Sequence, residues 1–328
     1  MNIARASKAE DAKSHFQKCF MGTSPQKWSW KYEANPFFLR QGIPAWIAVS
    51  DGKTVGHFGA IPVKLKVASS RINAAWAVDF VILPDYRRKG LGMSLVEEAN
   101  RHFDAFLAIG GTHMSSSLFV KMGWVFLGRA PYYIKILDIG IPIVNPFIKF
   151  YNYLTRPRQP KGIKVDIIEN FSEEADLFWK EIENFYRIVV PRDKAYLNWK
   201  YGSQPGMNYI KFRCVRAGRI CGYIVTRILK SKSDNTEGLI ADIIARPDDK
   251  DAIRGLIFAA LRYLKSKNCS VARCCVNNKD IQRILGEFGF IRRKPQMSFL
   301  VKKNLDGLEE LYNLDNWFIT SGDSDIDR

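Results

Sequence analysis

The sequence has no apolar run approaching the ~20 residues that a membrane-spanning helix needs. Its first residues, Met1-Asn2-Ile3-Ala4-Arg5-Ala6-Ser7, lack the apolar core of a secretory signal. A cytoplasmic location is the expectation that follows. Histidine is scarce, with four in 328 residues, and the six cysteines (19, 214, 221, 269, 274, 275) contain no Cys-x-x-Cys pair. The two residue types form no metal-ligand grouping, so no metal is expected and the thiols read as buried and reduced. Carboxylates are also under-represented, 33 against 50 lysines and arginines, for a net charge of +17. Residues 304–328 hold seven acids and one arginine, a net of −6, which leaves the remainder at +23. Such a body attracts polyanions. With no dense Lys/Arg run and no nucleic-acid fold signature, nucleic acid is not the expected partner.

What is present is enough apolar material for sizeable cores: 47% hydrophobic and 13% aromatic residues. At roughly 150 residues per domain, two domains are expected. The most informative stretch is Asp79-Phe80-Val81-Ile82-Leu83-Pro84-Asp85-Tyr86-Arg87-Arg88-Lys89-Gly90-Leu91-Gly92. A β-rich run ends at a proline, and a basic loop with two glycines opens into the helical segment from Met93. A helix N-terminus offers unpaired N–H groups and a positive dipole end, and glycines let a phosphate approach them closely. The P-loop requires four residues between its glycines and then Gly-Lys-Ser/Thr; here one residue separates Gly90 from Gly92 and Met93 follows. The dinucleotide fingerprint requires a third glycine where this chain has Leu95. What remains is Arg-x-x-Gly-x-Gly, Arg87 to Gly92, directly after a strand. It resembles the acyl-CoA loop of the GCN5-related N-acetyltransferase (GNAT) superfamily.

Periodicity places a strand at 2–6, helices at 8–20 and 24–33, and an antiparallel meander over Ala45–Ser50, Thr54–Val67 and Arg71–Leu83. Asp51-Gly52 reads as its first hairpin turn. Helix 90–104, strand 105–109, helix 114–122 and strands over 124–138 follow. The plan then repeats. Ser29-Trp30-Lys31-Tyr32 recurs as Asn198-Trp199-Lys200-Tyr201, Asp79 to Pro84 as Asp242 to Pro247, and Leu118 to Trp124 as Ile284 to Phe290, at offsets of 169, 163 and 166. Three matches in order at one period indicate a duplicated domain. The expected fold class is therefore α/β (α+β): two tandem GNAT-type domains, each a mixed, mostly antiparallel sheet flanked by helices. The boundaries read as an N-terminal domain over 1–140, a basic, proline-rich linker over 141–162, a C-terminal domain over 163–303 and an acidic tail over 304–328.

The linker holds a short helical segment around Pro146–Leu154. Its mix of aromatic and basic residues fits either contact with a membrane surface or packing between the domains. In the second copy the loop equivalent is Asp248-Asp249-Lys250-Asp251, with no glycine. Carboxylates there suit the helix dipole by themselves and would repel a pyrophosphate. One cofactor per chain is the expectation.

The resemblance implies acetyl-CoA, or another acyl-CoA, as co-substrate and a small-molecule amine as acceptor. It places pantetheine against the strand backbone at Phe80 and Ile82, and the pyrophosphate on the loop from Arg87 through Arg88, Lys89, Gly90 and Leu91 to Gly92. Ser115 falls in the family's next cofactor-contacting turn. Two usual residues are missing. The tyrosine that protonates the leaving thiolate is Phe119 here, and the glutamate acting as general base falls at Trp76. Asp79, on the same strand, is the first candidate base, although its twin Asp242 offers a structural explanation for it. His57 on the neighbouring strand has no twin and an intrinsic pKa suited to base work. Some tandem members, the N-myristoyltransferases among them, bring the end of the chain into the cleft, so the acidic tail is either a third route or a solvated end. Acceptors in the family usually enter near the positions of Trp28, Pro36 and Phe37, and stand-alone tandem members suggest an amino sugar or polysaccharide precursor. A non-catalytic acyl-CoA-binding or scaffolding protein is the alternative that Phe119 and Trp76 favour.

Overall fold

The structure is a computed structural model that describes residues 2–5, 24–37, 42–138, 145–155, 158–230, 236–295, 297–325 and 327. The helix expected over 8–20 lies outside these residues. In the first half, the chain runs β1 (Asn2–Arg5), α1 (Pro25–Tyr32), β2 (Ala45–Ser50), β3 (Lys53–Val67), β4 (Ser70–Ile82), α2 (Leu91–Asn100), β5 (Ala105–Ile109), α3 (His113–Lys121), β6 (Val125–Arg129) and β7 (Tyr132–Ile136). Helix α4 (Asn145–Leu154) links the halves. The second half runs β8 (Ile163–Ile168), α5 (Glu173–Ile182), β9 (Ile188–Val189), α6 (Lys194–Gly202), β10 (Tyr209–Arg216), β11 (Arg219–Lys230), β12 (Thr236–Ala245), α7 (Lys250–Ser266), β13 (Val271–Cys275), α8 (Lys279–Glu287), β14 (Ile291–Arg293) and β15 (Ser298–Lys303).

Local chemistry explains the starts and turns. The β2–β3 hairpin closes on Asp51 and Gly52 with φ of 50° and 72°, the left-handed pair of a type I′ turn. Its twin, Ala217 and Gly218, closes β10–β11 with φ of 47° and 79°. Ser24, Thr112, Asp193, Asp249 and Asn278 each accept a backbone N–H at the start of a helix. Helix α2 ends four residues before the expected 104, and the strands expected over 124–138 split into β6 and β7.

Two mixed sheets result, in the orders β1-β2-β3-β4-β5-β15-β6, with β9 also pairing β3, and β14-β7-β13-β12-β11-β10-β8. In both, a strand from the other half is inserted next to an edge strand. β15 enters the first sheet between β5 and β6, antiparallel to both. β7 enters the second between β13 and β14 in the same way. Sheet membership thus crosses the sequence halves: 132–136 belongs with the second sheet and 298–303 with the first.

The apolar core follows this interlock. One cluster runs continuously through both halves. A second, built on Trp46, Phe58, Leu95, Phe106, Phe119 and Trp124, lies between the first sheet and helices α2 and α3. At the junction the repeated tryptophans meet. Trp30 and Trp199 stack with centroids 4.6 Å apart and planes 9° from parallel. Each indole N–H donates to the other residue's carbonyl, at 2.9 and 3.0 Å. A reciprocal pair of this kind is what a local two-fold relation between the copies produces. The five described cysteines are free thiols, and among the described residues no group of three or more His, Cys, Asp or Glu side chains could hold a metal.

Candidate active site

The site begins with a strand that leaves its neighbour. β4 pairs parallel with β5 only over Ala74–Trp76 and Ala105–Leu107. Beyond Trp76, β5 continues against β15 while β4 stays with β3, so a gap opens along Ala77–Ile82. The split coincides with a bulge. The β3–β4 register slips between His57 and Gly59, setting Asp79 and Phe80 opposite Phe58. Asp79 takes φ of 50°, a left-handed conformation that aspartate tolerates better than most residues. A bulge of this kind re-aims both side chain and backbone.

At the end of the gap, Pro84–Tyr86 forms a single turn and Arg88 and Gly90 both have positive φ, 59° and 81°. Gly90 occupies the N-cap of α2, where no side chain caps the helix. The N–H groups of Leu91, Gly92 and Met93 have no acceptor within the helix, as in any first turn. Gly92 is needed for a different reason: a Cβ there would come within 3.2 Å of the Phe80 ring and 3.3 Å of Leu118. Arg88, Lys89 and Gly90 are exposed. Arg87 folds back, its Nε donating to the Ile82 carbonyl at 2.9 Å, and so braces the loop. The arrangement is an uncapped helix end with cations beside it, which suits an anion.

The second copy closes the same position. Asp249 caps α7 by accepting from the Ala252 N–H at 3.0 Å, and Arg216 grips both its oxygens at 2.8 and 3.0 Å. No such carboxylate stands at Gly90.

Beneath the bulge lies a buried polar cluster. One oxygen of Asp79 accepts from Lys31 Nζ and from the Tyr32 hydroxyl, each at 2.6 Å. Lys31 also donates to Asp325 at 2.6 Å. His57 is fully buried, with Nδ1 2.8 Å from the Asp79 carbonyl. A carbonyl can only accept, so this bond places the ring proton on Nδ1. Burial lowers the pKa of His57. The twin cluster shares one bond, Tyr201 to Asp242 at 2.9 Å, but replaces the lysine on the aspartate with Arg192 at 3.0 Å.

A family model of the acetyltransferase (GNAT) domain matches residues 2–107, which span the meander, the bulge and the loop. Residues 2–107 thus carry the GNAT acetyltransferase domain. No curated protein matches it in sequence. Among solved structures it is similar to the GCN5-related N-acetyltransferase from Anabaena variabilis ATCC 29413, with a TM-score of 0.67 and 12% identity over 92% of this chain and 72% of that one. It is similar to a probable N-acyltransferase from Enterococcus faecalis V583, at 0.65 and 12% over 91% and 71%. The Saccharomyces cerevisiae N-myristoyltransferase, solved with bound myristoyl-CoA, gives 0.59 and 13% over 92% and 82%. At these identities the likeness is one of fold, and it extends through both halves of the chain.

Several expected site residues take other duties. Ser115 forms a capping box with Thr112: its hydroxyl lies 3.1 Å from the Thr112 N–H, and its own N–H donates to the Thr112 hydroxyl at 3.2 Å. Phe119 stacks between Trp124 and Phe80, at 4.4 and 5.9 Å. Trp76 is buried against Phe299 of the exchanged strand β15. Trp28 is fully buried, and Phe37 stacks on Tyr196 of the other half at 6.2 Å, so both are packing residues.

The acidic tail is the larger surprise. Its last three carboxylates are distributed over three buried cations: Asp323 on Arg192 at 2.9 Å, Asp325 on Lys31 at 2.6 Å and Asp327 on Lys200 at 3.0 Å. Tyr209 donates to Asp327 at 2.5 Å. Burial penalises the charge on Arg192, yet Asp242 and Asp323 outweigh it and raise its pKa. The end of the tail, from Trp317, is thus packed against the twin clusters rather than solvated. Lys31, Tyr32 and Asp325 are the site neighbours that sequence reasoning passed over. The repeated Trp-Lys-Tyr triplet was the visible signal for Lys31 and Tyr32, and the acidic tail, read as a route into the cleft, was that for Asp325.

Proposed function

We propose that the protein is an acetyl-CoA-dependent N-acyltransferase acting on a primary amine of a small molecule, an amino sugar or polysaccharide precursor, in the cytoplasm. The observation that carries this reading is the contrast between the two helix starts. Gly90 leaves the N-terminus of α2 open beside Arg88 and Lys89, whereas Asp249 fills the equivalent position. The pyrophosphate would rest on the N–H groups from Arg88 to Gly92, with Arg87 bracing the loop. Pantetheine would lie in the gap along Phe80 and Ile82, and each chain would bind one CoA.

The acceptor nitrogen attacks the thioester carbonyl, forming the C–N bond. The C–S bond then breaks as the tetrahedral centre collapses. Backbone N–H groups at the bulge, near Phe80–Ile82, stabilise the oxyanion. Asp79 takes the proton lost by the amine, with Lys31 and Tyr32 orienting its carboxylate. His57, buried and bonded to the Asp79 carbonyl, pins the bulge in place. Phe119 cannot protonate the thiolate, so that proton comes from solvent. Ser115 contributes by fixing the start of α3.

The test is equilibrium titration with acetyl-CoA together with thiol release across a panel of amines. One site per chain and turnover with at least one amino sugar are expected. Two equivalent sites would refute the assignment of the open helix end. Tight CoA binding with no thiol release from any amine would replace the enzyme with a CoA-binding scaffold.

A further inference from the structure

Helix α4 presents an apolar stripe to solvent. Phe147, Phe150, Tyr151 and Leu154 recur at the i, i+3, i+4, i+7 spacing that normally faces a core. Here Phe147 is 74% exposed, Phe150 62% and Leu154 65%, with Tyr153 beside them at 70%. The side that holds the helix to the protein is polar instead. Asn152 donates to the Ile136 and Leu137 carbonyls at 3.1 and 3.3 Å and accepts from Lys135 at 2.6 Å. The Thr155 hydroxyl lies 3.4 Å from the same lysine. Polar inward and aromatic outward reverses the usual arrangement of a surface helix.

We infer that this stripe docks the protein onto an anionic lipid surface. The charge around it selects that occupant. Residues 139–165 contain Lys149, Arg156, Arg158, Lys161 and Lys164 and no carboxylate. Tyr151 reaches the Gly289 carbonyl at 3.5 Å, and the segment beginning two residues later, Ile291-Arg292-Arg293-Lys294, is exposed throughout. Residues 288–305 likewise contain no carboxylate. Aromatic rings and leucine with flanking cations are the composition of helices that lie in the headgroup layer of acidic bilayers. A second copy of this chain is a poor occupant, because a self-interface would bring this excess of cations together on a protein of net charge +17. No helix of the described residues is long and apolar enough to cross a bilayer, so the contact is peripheral. The inference is independent of the cofactor assignment.

The full chain is mixed with vesicles of phosphatidylcholine alone, or of phosphatidylcholine with one third phosphatidylglycerol, and sedimented. Preferential binding to the anionic vesicles is expected, weakening as salt is raised. The double variant F147E/F150E should lose binding by at least about tenfold while melting at the wild-type temperature, since both side chains are exposed. The R292E/R293E variant should lose most of the salt-dependent part. Wild-type protein that stays in the supernatant with anionic vesicles overturns the inference. So does an F147E/F150E variant that sediments as well as wild type. Self-association by light scattering that F150E abolishes, without vesicle binding, would assign the stripe to a second copy and equally overturn it.

Discussion

Replacing Gly90 by aspartate would give the first copy the chemistry of the second. The magnitude follows from three terms. Nothing lies within 4 Å of a Cβ at Gly90, so the substitution meets no steric obstacle, but φ of 81° strains any L-residue by about 1–2 kcal/mol. The new carboxylate would cap α2 and recover roughly 1 kcal/mol, leaving stability nearly unchanged. Against a bound pyrophosphate the same carboxylate is repulsive. One charge about 5 Å from two others, at an effective dielectric near 40 and physiological salt, costs about 2 kcal/mol. Loss of the capped N–H donors brings the total to about 2–3 kcal/mol, roughly a 30- to 150-fold weaker Kd for CoA. Gly90→Ala is the control, because it imposes the strain without the charge and should weaken binding less than tenfold. The assay is isothermal titration with CoA, accompanied by thermal melts of all three proteins. A G90D protein that melts normally and binds CoA within threefold of wild type would refute the assignment of the phosphate site.

Asp79→Asn should lower kcat by about 10²-fold or more with little change in CoA affinity, read as thiol release under saturating donor; an unchanged kcat would remove Asp79 as the base. Arg192→Met would leave Asp242 and Asp323 buried without their cation, costing about 3–5 kcal/mol in urea unfolding; a loss under 1 kcal/mol would mean that the tail and β12 hold together without it. Burial lowers the pKa of His57 in the folded state, so the unfolded chain binds its proton more readily. Stability should therefore fall as pH drops below about 6.5, and His57→Gln should flatten that limb of a pH-dependent denaturation series. Identical profiles for the two proteins would contradict this.

Much of the fold could be read from local pattern because local pattern determined it. The Asp51-Gly52 turn, the alternation in β3 and β4, and the Thr112 and Asn278 caps depend on residues within a few positions of each other. The repeat was visible for a related reason: Trp30 and Trp199 are retained in both copies because each needs the other's carbonyl. The strand exchange was not legible. β7 and β15 would present the same side chains to either sheet, and nothing within them states which β5-like neighbour they join. The open helix start proposed to hold phosphate was legible through its spacing, since an uncapped helix start needs glycine at a few fixed positions. The surroundings of Asp79 were not. Lys31 and Asp325 lie 294 residues apart in sequence, and a run of alternating aspartates resembles a solvated end until its cations are seen. The linker helix reads as either interdomain packing or a membrane contact; its polar residues bond to both halves, Asn152 to the Ile136 and Leu137 carbonyls and Tyr151 to that of Gly289, while Phe147, Phe150 and Leu154 stay exposed.

The reciprocal exchange of β7 and β15 makes the two halves a single mechanical object. Cutting the connection around α4 would not release them, because each sheet would still be threaded by a strand of the other. Such an interlock is the geometry of a swapped homodimer whose subunits have been joined end to end. Two copies on one chain need not be alike. One could then fill its helix start with Asp249 and still supply β15, the strand that borders β5 where β4 has departed. The half without an open loop is thereby part of the wall of the half that has one, and neither can be excised as a minimal enzyme.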